Sequence, residues 1–209
     1  MGRLPRQYWV VLLGCVVLIS GGVLFLEQRS AKPVLTREMA LEALNRVEGR
    51  FYVGGETNAF SGFVLEHYEN GVPKSRTAVR DGLLDGFSEG WYPNGQLQVQ
   101  EFFVQGVAHG RKTKWWKSGQ MLSDGEVVDG EWEGLFRKWH ENGQLSQEIP
   151  MKRGKAHGVA KAWFESGALK SRVEMAEGEI VKSEYFEEPN LSERSEQTQA
   201  QSMRERSRS

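Results

Sequence analysis

The 209-residue chain has a single cysteine, Cys15, so no intrachain disulfide can staple it, and cysteine usage leaves its compartment unmarked. It also lacks an excess of either charge. Its 27 Lys and Arg stand against 28 Asp and Glu, a formal net charge of −1, which gives no case for general nucleic-acid binding. Two catalytic signatures are missing as well. No glycine-rich loop opens a helix, as a phosphate-binding loop must, and Ser-Gly pairs such as Ser118-Gly119 lack the G-x-S-x-G setting of a hydrolase nucleophile.

Glycine is abundant, and its placement is regular. Gly62, Gly86, Gly110, Gly134 and Gly158 form one series; Gly71, Gly95, Gly119, Gly143 and Gly167 a second; Gly82, Gly106, Gly130, Gly154 and Gly178 a third. Every step is 24 residues, so residues 62 to about 186 are five copies of one supersecondary unit. An aromatic pair follows each first glycine: His67/Tyr68, Trp91/Tyr92, Trp115/Trp116, Trp139/His140 and Trp163/Phe164. Asn-Gly or Ser-Gly comes next, which is expected to supply the positive φ angles of a tight hairpin turn. The third glycine, as in Asp81-Gly82 and Asp129-Gly130, turns the chain into the next hairpin.

The second strand of each hairpin reads as half apolar. Leu97, Met121, Leu145 and Leu169 share one column; Val79, Phe103, Val127, Met151 and Met175 share another six residues later, an even offset that predicts one apolar face for both. Columns of opposite parity hold Arg76, Gln100, Asp124, Glu148 and Arg172, a wet face. Isolated hairpins are marginal in water, but stacked ones support each other. The fold class expected is therefore all-β: an elongated array of five 24-residue β-hairpins in a twisted antiparallel sheet, advancing about 10 Å per copy.

The pattern D-G-x-x-x-G-x-x-x-x-W-x-x-N-G-x-L, fullest from Asp129-Gly130 through Trp139 to Asn142-Gly143 and Leu145, resembles the MORN-variant (YwqK-type) repeats of bacterial proteins. The resemblance covers about 125 residues, with departures at Pro73, Ser118 and Ser166. It implies a binding or scaffolding role and transfers no catalytic residue.

Outside the repeats, Tyr8 to Leu26 is a run of 19 residues without a charge, long enough to span a hydrocarbon core as a helix. A cleaved signal peptide competes with this reading, and Leu12-Leu13-Gly14-Cys15 looks like a lipoprotein box, although the stretch after Cys15 stays apolar. The expectation is a single-pass membrane protein, attached through residues 8–26, with its repeats on the periplasmic or extracellular side. Thr36 is expected to cap a short helix of Arg37 to Val47, with Met39, Ala40, Ala43, Leu44 and Val47 at helical spacing, closing the first hairpin's open end. Residues 1–34 thus form the anchor, 35–58 a linker, helix and lead-in strand, 59–186 the repeats, and 187–209 a tail too polar to order.

The functional expectation is a non-catalytic protein-interaction or scaffolding module with no catalytic, cofactor-binding or metal-binding residues and an unnamed protein partner. One alternative is a cell-wall glycan that stacks on Trp91, Trp115, Trp139 and Trp163, though core packing of that column is the plainer reading. Another is a lipid surface. From Arg111 to Arg172 twelve Lys or Arg outnumber eight Asp or Glu, with Lys112, Lys114, Lys117, Arg137, Lys138 and Lys161 as a possible basic strip, read first as a solvated strand face. His109 and His157 share a repeat position with Asp85 and Glu133, but neighbours in such a column lie about 10 Å apart, so they read as turn residues.

Overall fold

The computed structural model describes residues 35–189. The run at 8–26 and the tail beyond residue 189 lie outside the described residues. A lead-in comes first: β1 (Glu38–Ala40), one 3₁₀ turn (Leu41–Ala43), β2 (Leu44–Val47) and β3 (Arg50–Val53). The repeats follow as hairpins. They are β4 (Gly62–His67) with β5 (Pro73–Arg80), then β6 (Leu83–Trp91) with β7 (Leu97–Val104). The third copy has a split first strand, β8 (Val107–Ala108) and β9 (Gly110–Trp115), with β10 (Met121–Val128). Next are β11 (Glu131–Trp139) with β12 (Leu145–Lys152), then β13 (Lys155–Ala156) and β14 (Gly158–Trp163) with β15 (Leu169–Ala176). A sixth first strand, β16 (Glu179–Tyr185), is the last strand among the described residues and pairs with β15. All the repeat strands lie in one sheet in chain order, with β1 added in parallel to β4; β2 and β3 pair separately.

Two kinds of turn alternate, and their glycines work differently from the expectation. The two-residue turns are those of the third series. In Asp81-Gly82, φ is 49° and 78°, and the same doubly positive pair recurs at Gln105-Gly106, Asp129-Gly130, Arg153-Gly154 and Glu177-Gly178. That is the type I′ hairpin turn, whose twist matches the flanking strands. At the Asn-Gly tips only the glycine takes positive φ. Tyr92 N–H donates to Gln96 O and Gly95 N–H to Tyr92 O, both at 2.8 Å, closing a longer loop with glycine as its left-handed last residue. The asparagine acts through its side chain. Asn94 Oδ1 accepts from Gln96 N–H at 3.2 Å while its Nδ2 donates to Lys117 O, in the next repeat, at 3.1 Å.

The expectation of a single apolar face is corrected by one residue per repeat. Gly90 pairs with Val99 but Trp91 with Leu97, so Gln98 is an extra residue that reverses the side-chain parity between them. The same slip occurs before Trp115, Trp139 and Trp163. Val79, Phe103, Val127, Met151 and Met175 therefore line one face, each opposite a first-series glycine. Leu97, Met121, Leu145 and Leu169 line the other, each opposite a tryptophan. We call these the packed and the open face.

The buried core sits on the packed face at the N-terminal end. Phe60 is 1% exposed and Val79 0%, and with Val64 they collect Met39, Leu41, Leu44, Phe51, Val53 and Leu84 around them. This arrangement replaces the helix expected over Arg37 to Val47. The free edge of β4 offers unpaired backbone groups, and an extended segment satisfies them. Met39 stands against Val64, and Phe63 N–H donates to Arg37 O at 2.7 Å. A helix there would leave that edge bare, and such bare edges are costly or promiscuous.

The first glycine column illustrates how one residue type serves two needs. A Cβ on Gly62 would lie 2.3 Å from Arg37 O and 2.6 Å from Phe60 Cζ, whereas Gly134, at φ +75°, has open space around it. We predict that Gly62→Ala lowers stability in urea denaturation by about 3 kcal/mol through overpacking. Gly134→Asn, which keeps a left-handed-tolerant residue, should cost less than about 1 kcal/mol.

Candidate interaction face

Successive hairpin tips are joined by a side-chain ladder built from the second member of each aromatic pair. Tyr68 Oη donates to Trp91 O at 2.8 Å and Tyr92 Oη to Trp115 O at 3.0 Å. Trp116 Nε1–H donates to Trp139 O at 3.3 Å, and His140 Nε2 lies 2.9 Å from Trp163 O. The carbonyl accepts in each case, so His140 must carry its proton on Nε2. Tyr, Trp and His share this column because each combines a flat apolar body with an N–H or O–H at its far end. Phe164, last in the column, has no such group. The sequence displayed the aromatic pairs but not this bond, whose only trace is the polar tip on four of the five residues. Tyr92→Phe is expected to cost about 1 kcal/mol of stability, read from thermal melts, with no change in the strand content seen by circular dichroism.

The open face carries three bands that run across the strands. Nearest the tips is the tryptophan band, Trp91, Trp115, Trp139 and Trp163, each half-buried against its Leu or Met partner. The tryptophans are thus neither core residues nor free rings. In the middle runs a polar row fixed by direct cross-strand register: Arg76 against Glu89, Glu89 against Gln100, Gln100 against Thr113, Thr113 against Asp124. It continues as Asp124 against Arg137, Arg137 against Glu148, Glu148 against Lys161, Lys161 against Arg172 and Arg172 against Glu184. Gln100 Nε2 donates to Glu89 Oε1 at 2.8 Å, and Arg137 Nε to Glu148 Oε2 at 3.1 Å. Nearest the type I′ turns, strand alternation puts Phe87, Val104, Val107, Val128 and Val159 on this same face. All five are exposed, Phe87 by 55%.

Asp124 is the electrostatic centre of the row. It is buried, and accepts from Arg111 Nε at 2.6 Å, Arg111 Nη2 at 2.9 Å and Thr113 Oγ1 at 2.9 Å. Burial alone would raise its pKa. The bonds from Arg111 and Thr113 and the charges of Arg111 and Arg137 outweigh that and hold the carboxyl below the ordinary aspartate value of 3.8. The suggested basic strip divides. Lys112, Lys114 and Lys138 project from the packed face, Lys112 paired with Glu101, while Arg137 and Lys161 belong to the polar row. His109 lies 3.6 Å from Asp129 and His157 3.5 Å from Glu177, at the turns. Among the described residues, no group of three or more His, Cys, Asp or Glu could hold a metal ion. Beside the first hairpin, where His67 stands in the tryptophan column, an open groove of about 450 Å³ is bounded by Leu65, His67, Pro73, Arg76 and Trp91.

Residues 84–105 and 132–153 each match the MORN repeat variant family. The chain carries MORN-variant repeats. Each matched stretch covers one hairpin of the array but for its first residue, β6 with β7 and β11 with β12, two 24-residue steps apart. No curated protein matches the chain. The expected localisation, single-pass with the repeats on the periplasmic or extracellular side, is corrected. The described residues form strands, and no helix among them is long and apolar enough to cross a membrane. The segment on which that expectation rested, 8–26, lies outside those residues.

Because the folded-state pKa of Asp124 is depressed, its contribution to stability is present above the unfolded value and disappears as pH falls through the folded one. Asp124→Asn is therefore expected to melt below the parent protein at neutral pH, with the gap closing as pH drops below 3.8. Thermal melts across that range test it, and a gap that stays constant with pH would refute the assignment.

Proposed function

We propose that the MORN-variant array is a non-catalytic protein-interaction or scaffolding module that binds its partner through the open face. The observation that carries this reading is the gathering of Phe87, Val104, Val107, Val128 and Val159, exposed, on the face that also bears the tryptophan band and the polar row. Exposed apolar side chains scattered singly need no explanation, but aligned ones rimmed by charges mark an interaction surface. The register of the polar row adds directional recognition, because rows of fixed alternating charge discriminate partners more than they add affinity. A photo-crosslinking residue at position 87 should trap a discrete protein adduct in cells, and the same residue at position 114, on the packed face, should not. Val104→Asp with Val128→Asp should weaken capture roughly tenfold. Equal trapping from both positions, or none from either, would sink the proposal.

The second reading, a glycan stacked on the tryptophans, is supported by their common position on the open face at about 10 Å spacing. Trp139→Ala separates the two. Loss of binding to isolated cell-wall polymer with an unaltered melt supports stacking, whereas a lowered melt with protein capture reduced in proportion supports the first reading.

A further inference from the structure

The last strand of the sheet has its own recognition potential. β16 pairs on one side with β15, and among the described residues no strand pairs with its other side. Three of its large apolar residues lie in water: Ile180 is 61% exposed, Val181 62% and Tyr185 70%. A long apolar edge of this kind is a template for another strand.

The backbone bonds say which groups are free. Phe186 N–H donates to Lys170 O at 2.9 Å, which makes 170 and 186 a hydrogen-bonded pair. Hydrogen-bonded pairs recur every second residue along an antiparallel ladder. Arg172 with Glu184 and Glu174 with Lys182 are therefore hydrogen-bonded as well. Glu184 and Lys182 thus direct their N–H and C=O inward, and Ser183 and Tyr185 direct theirs outward. The register then slips at Val181, where the regular ladder ends.

We propose that β16 joins antiparallel to β16 of a second copy, about a two-fold axis at Ser183. The side chains select both the occupant and the register. Centring on Lys182 or on Glu184 would set like charges face to face, and centring on Val181 would set Lys182 against an isoleucine. Centring on Ser183 sets Lys182 against the partner's Glu184 and Glu184 against the partner's Lys182. It also brings Val181 against the partner's Tyr185, covering the two most exposed large apolar side chains of the described residues. Opposite charges and apolar–aromatic pairs directly across an antiparallel ladder are the stabilising combinations. The free groups agree, since outward-facing Ser183 meets its own symmetry mate. Lys182 and Glu184 emerge on the open face, so the polar row would continue from Arg172 and Glu184 into the second copy.

Ser183→Pro tests this on the full chain, because it removes an outward N–H and no bond to β15. Sedimentation equilibrium should show a dimer for the parent and a roughly tenfold or greater weakening for Ser183→Pro, with the thermal melt of the dilute protein unchanged. In a Cys15→Ser background, Ser183→Cys should form an interchain disulfide under mild oxidation much faster than Lys182→Cys. The facing Ser183 Cα atoms would be about 5.5 Å apart, whereas Lys182 is offset from its symmetry mate. Three results would overturn the proposal: a parent chain that stays monomeric to its solubility limit; a dimer that Ser183→Pro leaves intact; or equal oxidation at positions 182 and 183.

Discussion

Backbone hydrogen bonding between strands consecutive in sequence is the constraint on which everything else in this protein rests. Each repeat strand finds its partners in the strand before and the strand after it, so among the described residues no distant segment closes the sheet or covers its middle. Among the described residues, the clustered hydrophobic core lies where the lead-in folds back over Val64 and Val79, with Val127 buried by itself farther along. Elsewhere the repeats are held by what adjacent hairpins offer each other: ladder bonds, glycine–apolar pairs, and the donation from an aromatic tip to the next tryptophan's carbonyl.

That economy shapes the open face. Side chains that in a sandwich would be buried against a second sheet here meet their lateral neighbours instead, and pairing register becomes the organising device. Asp124 shows the effect: a buried carboxylate is tolerable because Arg111, Thr113 and Arg137 converge on it from its own strand's neighbours. The remaining charges along the row alternate over much of its length, and the apolar strips flank them. The face is amphipathic across the strands, a direction in which a sequence read along the chain shows no period.

Much of the fold was legible in the glycines. Their 24-residue period gave the hairpins and their number, because type I′ turns and left-handed loop ends tolerate few other residues. Facial assignment was not legible, since the single extra residue at Gln98 and its equivalents leaves the spacing of Leu97 and Phe103 even while reversing one of them. The lead-in was misread for a related reason. Met39, Leu44 and Val47 suit a helix, and nothing local in Arg37 to Val47 announces that the edge of β4 is waiting for a strand. Of the candidate face, the tryptophan column and the polar residues were visible as columns. Their conversion into bands depended on cross-strand register, which spacing along one chain does not contain.

The ladder of aromatic tips also bears on how such an array changes length over generations. A donor in one copy reaches an acceptor 23 residues on, so duplicating any unit between Tyr68 and His140 inserts a matched donor and acceptor and leaves the flanking joints intact. A unit appended after Phe164 would meet a bare carbon ring and start with a missing joint. Growth by internal copying is thus structurally silent, whereas extension at the C-terminal end requires a compensating change at one codon.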